Sequence, residues 1–297
     1  MLKGVLLSLM ASTLFGVMYF YTSLLTPLSS EQIFGWRMLL TIPIMALLIV
    51  SLGEWRGVRL IVQRLQHEPK LWLVLPLSSA LLGVQLWLFM WAPSHGKALE
   101  VSLGYFMLPL TLVAMGRFIY REKLSALQTA AVAFALFGVA HEVMRVGGFS
   151  WTSLVVCLGY PMYFYIRKRH HTDNLGGMWF DMLLTLPAAL WFVLSAGPQM
   201  VNMLTDTPAL YGLIPGLGLI SSAALVCYIA ASRLIPFTLF GLLGYAEPVL
   251  LVFVSLLLGE TIGADEWMTY LPIWLAVGLL ALEGFLTFKR ADSPANV

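Results

Sequence analysis

The sequence predicts an all-α polytopic membrane protein: ten transmembrane helices arranged as a 5+5 inverted repeat, with both termini cytoplasmic. Three observations lead there, namely an apolar composition, a one-sided distribution of basic residues, and short words that recur at a nearly constant spacing. Of 297 residues, 60% are hydrophobic and 11% charged, whereas soluble domains are about 45–50% apolar and about 25% charged. A water-soluble enzyme, a coiled coil, a disordered tail and a DNA-binding module do not fit those proportions. The net charge of +2 gives no reason to expect a nucleic-acid partner.

Cutting the chain at charges, Pro and Gly leaves ten apolar segments, 4–25, 30–52, 71–91, 97–116, 125–144, 149–166, 176–195, 210–232, 236–259 and 267–288. Each is close to the about 20 residues a helical span requires. The first follows Met-Leu-Lys in the manner of a signal peptide. It runs on through Tyr19, Phe20 and Tyr21 without a small-residue cleavage site and is expected to be retained. After the second segment, residues 53–69 set Trp55, Val58, Ile61, Val62 and Leu65 at helical spacing among charges, which suits a helix lying on the inner leaflet. Pro93, Gly96 and Gly104 interrupt the third and fourth segments, which carry Trp87, Trp91, Ser94, His95 and Tyr105. Ala131, Ala135 and Gly138 in the fifth, and Gly212 and Gly216 in the eighth, form small faces for close helix packing. Cys157 and Cys227 fall inside apolar stretches and read as buried free thiols.

Lys and Arg stay on the cytoplasmic side of short loops. An inside N-terminus puts Lys3, Arg56, Arg59, Arg64, Lys70, Arg117, Arg121, Lys123, Arg167, Lys168, Arg169, Arg233, Lys289 and Arg290 on the cytoplasmic side, against Lys97 and Arg145 outside and Arg37 within a span. Met18-Tyr19-Phe20-Tyr21 recurs as Met162-Tyr163-Phe164-Tyr165, and Leu103-Gly104-Tyr105 recurs at nearly the same offset as Leu243-Gly244-Tyr245. Pro109 then Glu122 parallels Pro248 then Glu260. The repeat divides the chain into 1–146 and 147–297. Five spans per half is odd, so the halves enter the membrane from opposite faces, which suits alternating access to a midplane site.

Charges inside a bilayer cost about 2.5–3.5 kcal/mol on insertion scales, so each one needs a partner or a function. Glu247 stands about 11 residues into the ninth segment, near the midplane. Pro248 beside it removes a helix hydrogen bond, and a carboxyl group there can load and release a proton. Arg37 is held within the second segment and Asp181 within the seventh, shortly before Pro187. Glu142, Glu283, Lys97 and Glu100 lie near span ends within reach of water, and Glu122 and Glu260 read as solvated loop charges. His141-Glu142 begins a zinc-protease pattern, but Arg145 stands where the second His belongs. No nucleophile elbow or phosphate-cradling loop occurs, so no enzyme, metal site or cofactor is expected.

The run Trp91, His95, Gly96, Leu99, Glu100, Ser102-Leu103-Gly104-Tyr105-Phe106 and Pro109 resembles the RarD-like branch of the EamA family in the drug/metabolite transporter superfamily. Arg37 falls where EamA proteins generally carry an arginine in the second span. Ala246-Glu247-Pro248-Val249 followed by Gly259-Glu260 is similar to the family's ending of the ninth span. The chain departs from the branch in having Leu108 where Asn usually precedes the proline, and in carrying a carboxylate at Glu247.

The resemblance implies a multi-pass protein of the bacterial inner membrane that exports a small molecule. The expected solute is an amphipathic or zwitterionic metabolite: an amino-acid-like compound, an amino-acid-derived metallophore or a drug. Arg37 and a carboxylate, Glu247 or Asp181, would hold its charges, with Tyr105, Tyr245, Tyr19, Trp36, Trp91 and His95 as the wall, Glu247 as the proton-coupling group, and Pro109 and Pro248 as gating breaks. The expected partners are the solute, the lipid bilayer and protons, in a monomer or homodimer. A non-transporting receptor or scaffold and an uncoupled facilitator are the other readings.

Overall fold

The computed structural model describes residues 2–95, 97–148, 150–195, 197–250, 263 and 265–292, with the side chains of 93, 94, 98, 99, 198 and 284–292 outside the description. Each predicted apolar segment with described residues is helical over most of them. In order these helices are α1 (Leu2–Ser23), α2 (Ser30–Ser51), α3 (Trp55–His67), α4 (Leu71–Ser94), α5 (Ala98–Phe118), α6 (Ala126–Val146) and α7 (Trp151–Arg169). The second half continues with α8 (Leu175–Leu184), α9 (Leu186–Leu194), α10 (Pro198–Asp206), α11 (Leu210–Leu234), α12 (Phe237–Leu243) and α13 (Trp267–Asp292).

Local chemistry sets several of these boundaries. Capping boxes open α2 and α6: the Ser29 and Ser125 hydroxyls accept from the backbone of Gln32 and Gln128, whose side chains accept from the serine backbones in return. Gly147, at φ 86°, ends α6 in the left-handed conformation that favours glycine. Thr185 separates α8 from α9, which together bend by 41°. Pro187 accounts for the bend, because it cannot donate to a continuing helix.

Six helices, α1, α2, α4, α5, α6 and α11, are long and apolar enough to cross a membrane, and α8 with α9 count as a seventh if taken as one bent span. The ninth and tenth segments appear as shorter apolar helices, Phe237–Leu250 and Trp267–Glu283, while residues 251–262 lie outside the described ones. Large apolar side chains in mid-helix face outward, with Phe137 61%, Leu219 57% and Leu158 50% exposed. Such faces belong in hydrocarbon. This is a multi-pass helical membrane protein. α3 forms within the predicted 53–69 helix, whereas α10 occupies residues between the seventh and eighth segments, where no helix is predicted; it is too short for a strong periodic signal.

α1 packs on α11, α6 on α13, and α5 on both α7 and α12. α2 packs on α9 and α11, and α4 on α7 and α8. Glycine permits close approach at several of these contacts. A Cβ at Gly218 would meet Leu40 Cβ at 2.6 Å, and one at Gly138 would meet the Thr269 carbonyl at 2.7 Å. The main core joins α1, α2, α4, α5, α7, α8, α11 and α12, and a second cluster lies between α5, α6, α12 and α13.

Candidate functional site

A cavity lies in the middle of the bundle, with ≈ 540 Å³ of space between atoms when its mouth is included. α2 contributes Arg37, which is 1% exposed. Its Nε donates to Ser221 Oγ on α11 at 2.9 Å, while Nη1 and Nη2 have no partner among the described residues. A guanidinium remains charged even when buried, so two strong donors are left at the cavity. Across from it Glu247 follows a break in the ninth segment, where α12 ends at Leu243 and Gly244-Tyr245 form a turn. The break falls one turn before Pro248, which has no N–H to offer the Gly244 carbonyl.

Tyrosines share the cavity with these charges. Tyr105 on α5 and Tyr160 on α7 both line the cavity with their rings 6.4 Å apart, and both interact electrostatically with Arg37 and Glu247. Tyr228, Phe15 and Phe89 extend an aromatic wall, with Phe89 5.7 Å from the Tyr105 ring and Phe15 5.9 Å from Tyr228. Leu82, Leu86, Leu225 and Ile229 complete the apolar lining. The arrangement can hold a small molecule with an anionic group, a second polar group and an apolar body.

The structure thus brings together Arg37, Tyr105 and Glu247 of the predicted set, and places the others elsewhere. Asp181 is fully buried outside the lining, and its carboxylate is saturated: Arg167 Nη1 donates to Oδ2 at 2.7 Å, Tyr163 to Oδ2 at 3.0 Å and Ser78 to Oδ1 at 2.5 Å. Tyr245 is core, donating to the Phe106 carbonyl at 3.0 Å. Tyr19 meets the Phe89 ring edge-on at 6.1 Å, and Trp36 packs against the main core. Trp91 and His95 stack on one another at 4.2 Å near the end of α4, beside Trp87 and Trp151. Pro109 sits in an unbroken α5, so of the two predicted breaks only Pro248 accompanies an interrupted helix.

Several charges assigned to water or loops are engaged in the fold, three of them at helix junctions. Arg167, 1% exposed, also donates to the Thr172 and Asn174 carbonyls and closes the turn between α7 and α8. Glu122 accepts from the backbone of Phe237 at 2.9 Å and Thr238 at 2.8 Å, capping α12. Glu142, 3% exposed, pairs with Arg145 at 2.7 Å and accepts from Thr269 at 2.8 Å. Glu260 and Gly259 lie outside the described residues. Sequence reasoning missed Tyr160 and Tyr228 because nothing along the chain says which face of an apolar helix turns toward a cavity.

The sequence pattern of the EamA-like transporter family matches residues 2–141. Chloramphenicol-sensitive protein RarD of Pseudomonas aeruginosa is 47% identical, over 97% of this chain and 96% of its own. An uncharacterized transporter of Pasteurella multocida is 39% identical over 98% and 99%, and protein RarD of Escherichia coli 26% identical over 98% and 97%. A solved crystal structure superposes with a TM-score of 0.66 at 19% identity, covering 98% of this chain and 99% of that one, which shows a shared fold. With near full-length likeness on this scale, the chain belongs to the EamA-like transporter family and, within it, to the RarD-like branch.

Proposed function

We propose that this protein is a secondary transporter of the bacterial inner membrane that exports a small amphipathic or zwitterionic metabolite by alternating access, with Glu247 as its proton-coupling group. The observation that carries the reading is the placing of Arg37 and Glu247 on one central cavity, between tyrosines. A relative named for chloramphenicol sensitivity agrees with a drug-like amphipathic solute.

Ten spans, cytoplasmic termini and two inverted halves, 1–146 and 147–297, belong to the same proposal. Helix contacts support it, because they recur when every span is exchanged for the one five further on. α1 packs on α11 as α7 packs on α4, α2 on α11 as α8 on α4, and α5 on α6 as α12 on α13. The surface helix α10 stands between the seventh and eighth segments as α3 stands between the second and third. Two halves of similar energy can exchange conformations and open the site to either face.

The test is counterflow and pH-driven flux in proteoliposomes. Wild type is expected to concentrate solute when a proton gradient drives it, and Glu247→Gln to retain counterflow while losing the pH drive. Unchanged pH-driven flux in the variant would remove Glu247 from coupling. Flux indifferent to an uncoupler would mark a facilitator, and a full cellular phenotype in Arg37→Leu combined with Glu247→Leu would mark a scaffold.

A further inference from the structure

Arg37 opens the word Arg37-Met38-Leu39-Leu40-Thr41-Ile42-Pro43, and Asp181 opens its counterpart, Asp181-Met182-Leu183-Leu184-Thr185-Leu186-Pro187. The offset between them is the one separating Met18-Tyr19-Phe20-Tyr21 from Met162-Tyr163-Phe164-Tyr165. The partners correspond as well. Asp181 is bonded to Ser78 and Arg37 to Ser221, and these two serines stand one position short of the same offset. Ser79 donates to the Asp181 carbonyl and Ser222 to that of Thr41, a second serine pair at the spacing of the first. Leu82 and Leu225, and Leu86 and Ile229, keep that serine spacing too and line the cavity together.

One difference breaks the correspondence. Asp181 has a counter-ion in Arg167, on the helix that begins the second half. The position in the first half that corresponds to Arg167, at the offset joining Arg37 to Asp181, is Ser23, and α1 contains no acidic residue at all. Arg37 is therefore a buried charge whose matching partner the first half does not supply, and both terminal nitrogens lack a bond among the described residues. The groups acting on it are the Glu247 carboxyl and the Tyr105 and Tyr160 hydroxyls, and Arg37 and Glu247 form no ion pair.

Resting on the transport reading above, we infer that the solute itself completes this pair: it presents a carboxylate, or an oxyanion of the same planar geometry, to Nη1 and Nη2 of Arg37, with Ser221 fixing the guanidinium through Nε. The pairing is the counterpart, in the first half, of the one Arg167 and Asp181 make in the second. A planar fork of donors suits a bidentate oxyanion, which a lysine ammonium cannot imitate.

Thermal melting of the full-length protein in detergent, at fixed ionic strength, tests the assignment with acetate, benzoate and leucine against acetamide, benzamide and leucinamide. The acids are expected to raise the melting temperature at about 10- to 100-fold lower concentration than the amides. Arg37→Met should melt above wild type in buffer alone and lose the acid response; Arg37→Lys should keep only part of it. Equal response to acid and amide, or an acid response surviving in Arg37→Met, overturns the pairing. If proteoliposomes move solute without preferring the acid form, transport stands and the pairing falls. If the acids bind through Arg37 but nothing crosses the membrane, the pairing stands and the transport reading falls.

Discussion

Arg37 and Glu247 face the same cavity from opposite halves of the chain, close enough for their charges to interact and too far apart to form an ion pair. Tyr105 and Tyr160 line the same cavity, and each interacts electrostatically with both charges. Tyr160→Phe removes one hydroxyl without changing the ring. It is expected to weaken solute binding about 3- to 10-fold, a net hydrogen bond's worth, and to leave the melting temperature nearly unchanged. Equilibrium binding and melting on the same preparation check both halves of that statement.

The Arg167–Asp181 pair predicts the opposite stability effect from Arg37. Asp181→Asn leaves a buried guanidinium without its counter-charge and should cost about 3–5 kcal/mol. Replacing both partners, Arg167→Met with Asp181→Leu, should recover a large part of the loss, because the desolvation penalty then disappears. Chemical denaturation of wild type, Arg167→Met, Asp181→Leu and the double variant completes the double-mutant cycle.

Glu122→Ala should cost about 0.5–2 kcal/mol, since the backbone N–H groups of Phe237 and Thr238 lose their cap. Glu122→Gln should retain part of the capping but not its charge. Hydrogen exchange of the Phe237–Leu250 segment is the direct readout, with faster exchange expected at its beginning.

Two glycines separate close packing from intrinsic preference. A Cβ at Gly177 collides with the Thr172 carbonyl and lies 2.8 Å from Arg167 Nη2. Gly177→Ala should therefore destabilise by about 1–3 kcal/mol. Gly212 has nothing within 4 Å of the same added atom. Gly212→Ala should be neutral or stabilise by up to about 1 kcal/mol, because alanine is the better helix former. Melting temperatures of the two variants should move in opposite directions or differ plainly in size.

Acid is expected to loosen α3. The Arg64 guanidinium, hydrogen-bonded to Glu68 at 2.7 Å, holds that carboxyl below its ordinary value, and also donates to the His170 and His171 carbonyls. A depressed folded-state value means that the contribution is present above the ordinary carboxylate range and is lost as pH falls through the folded one. Hydrogen exchange in α3 should quicken over that window in wild type and show no such step in Glu68→Gln.

The spans were legible because about 20 consecutive apolar residues is a local signal that packing does not override. Arg37 and Glu247 stood out for the complementary reason, as charges within such runs. Arg167 was hidden by its neighbours: beside Lys168 and Arg169 it reads as one of three loop cations, although it alone turns inward. Glu122 looked solvated because its partners are backbone N–H groups of Phe237 and Thr238, remote along the chain. Tyr245 shares a repeated word with Tyr105, yet one hydroxyl meets a neighbouring backbone carbonyl and the other the cavity; a shared word cannot encode the rotation of each helix.

The two words that begin with Arg37 and Asp181 also bear on ancestry. On the two-halves proposal, a duplicated segment starts as two interchangeable copies, and these two would since have acquired opposite charges at one position. Two copies of residues 1–146 would bring together two guanidinia of the Arg37 kind, with neither Asp181 nor Arg167 between them. On that proposal each half depends on the other, and the covalent link between them guarantees that unlike halves always meet.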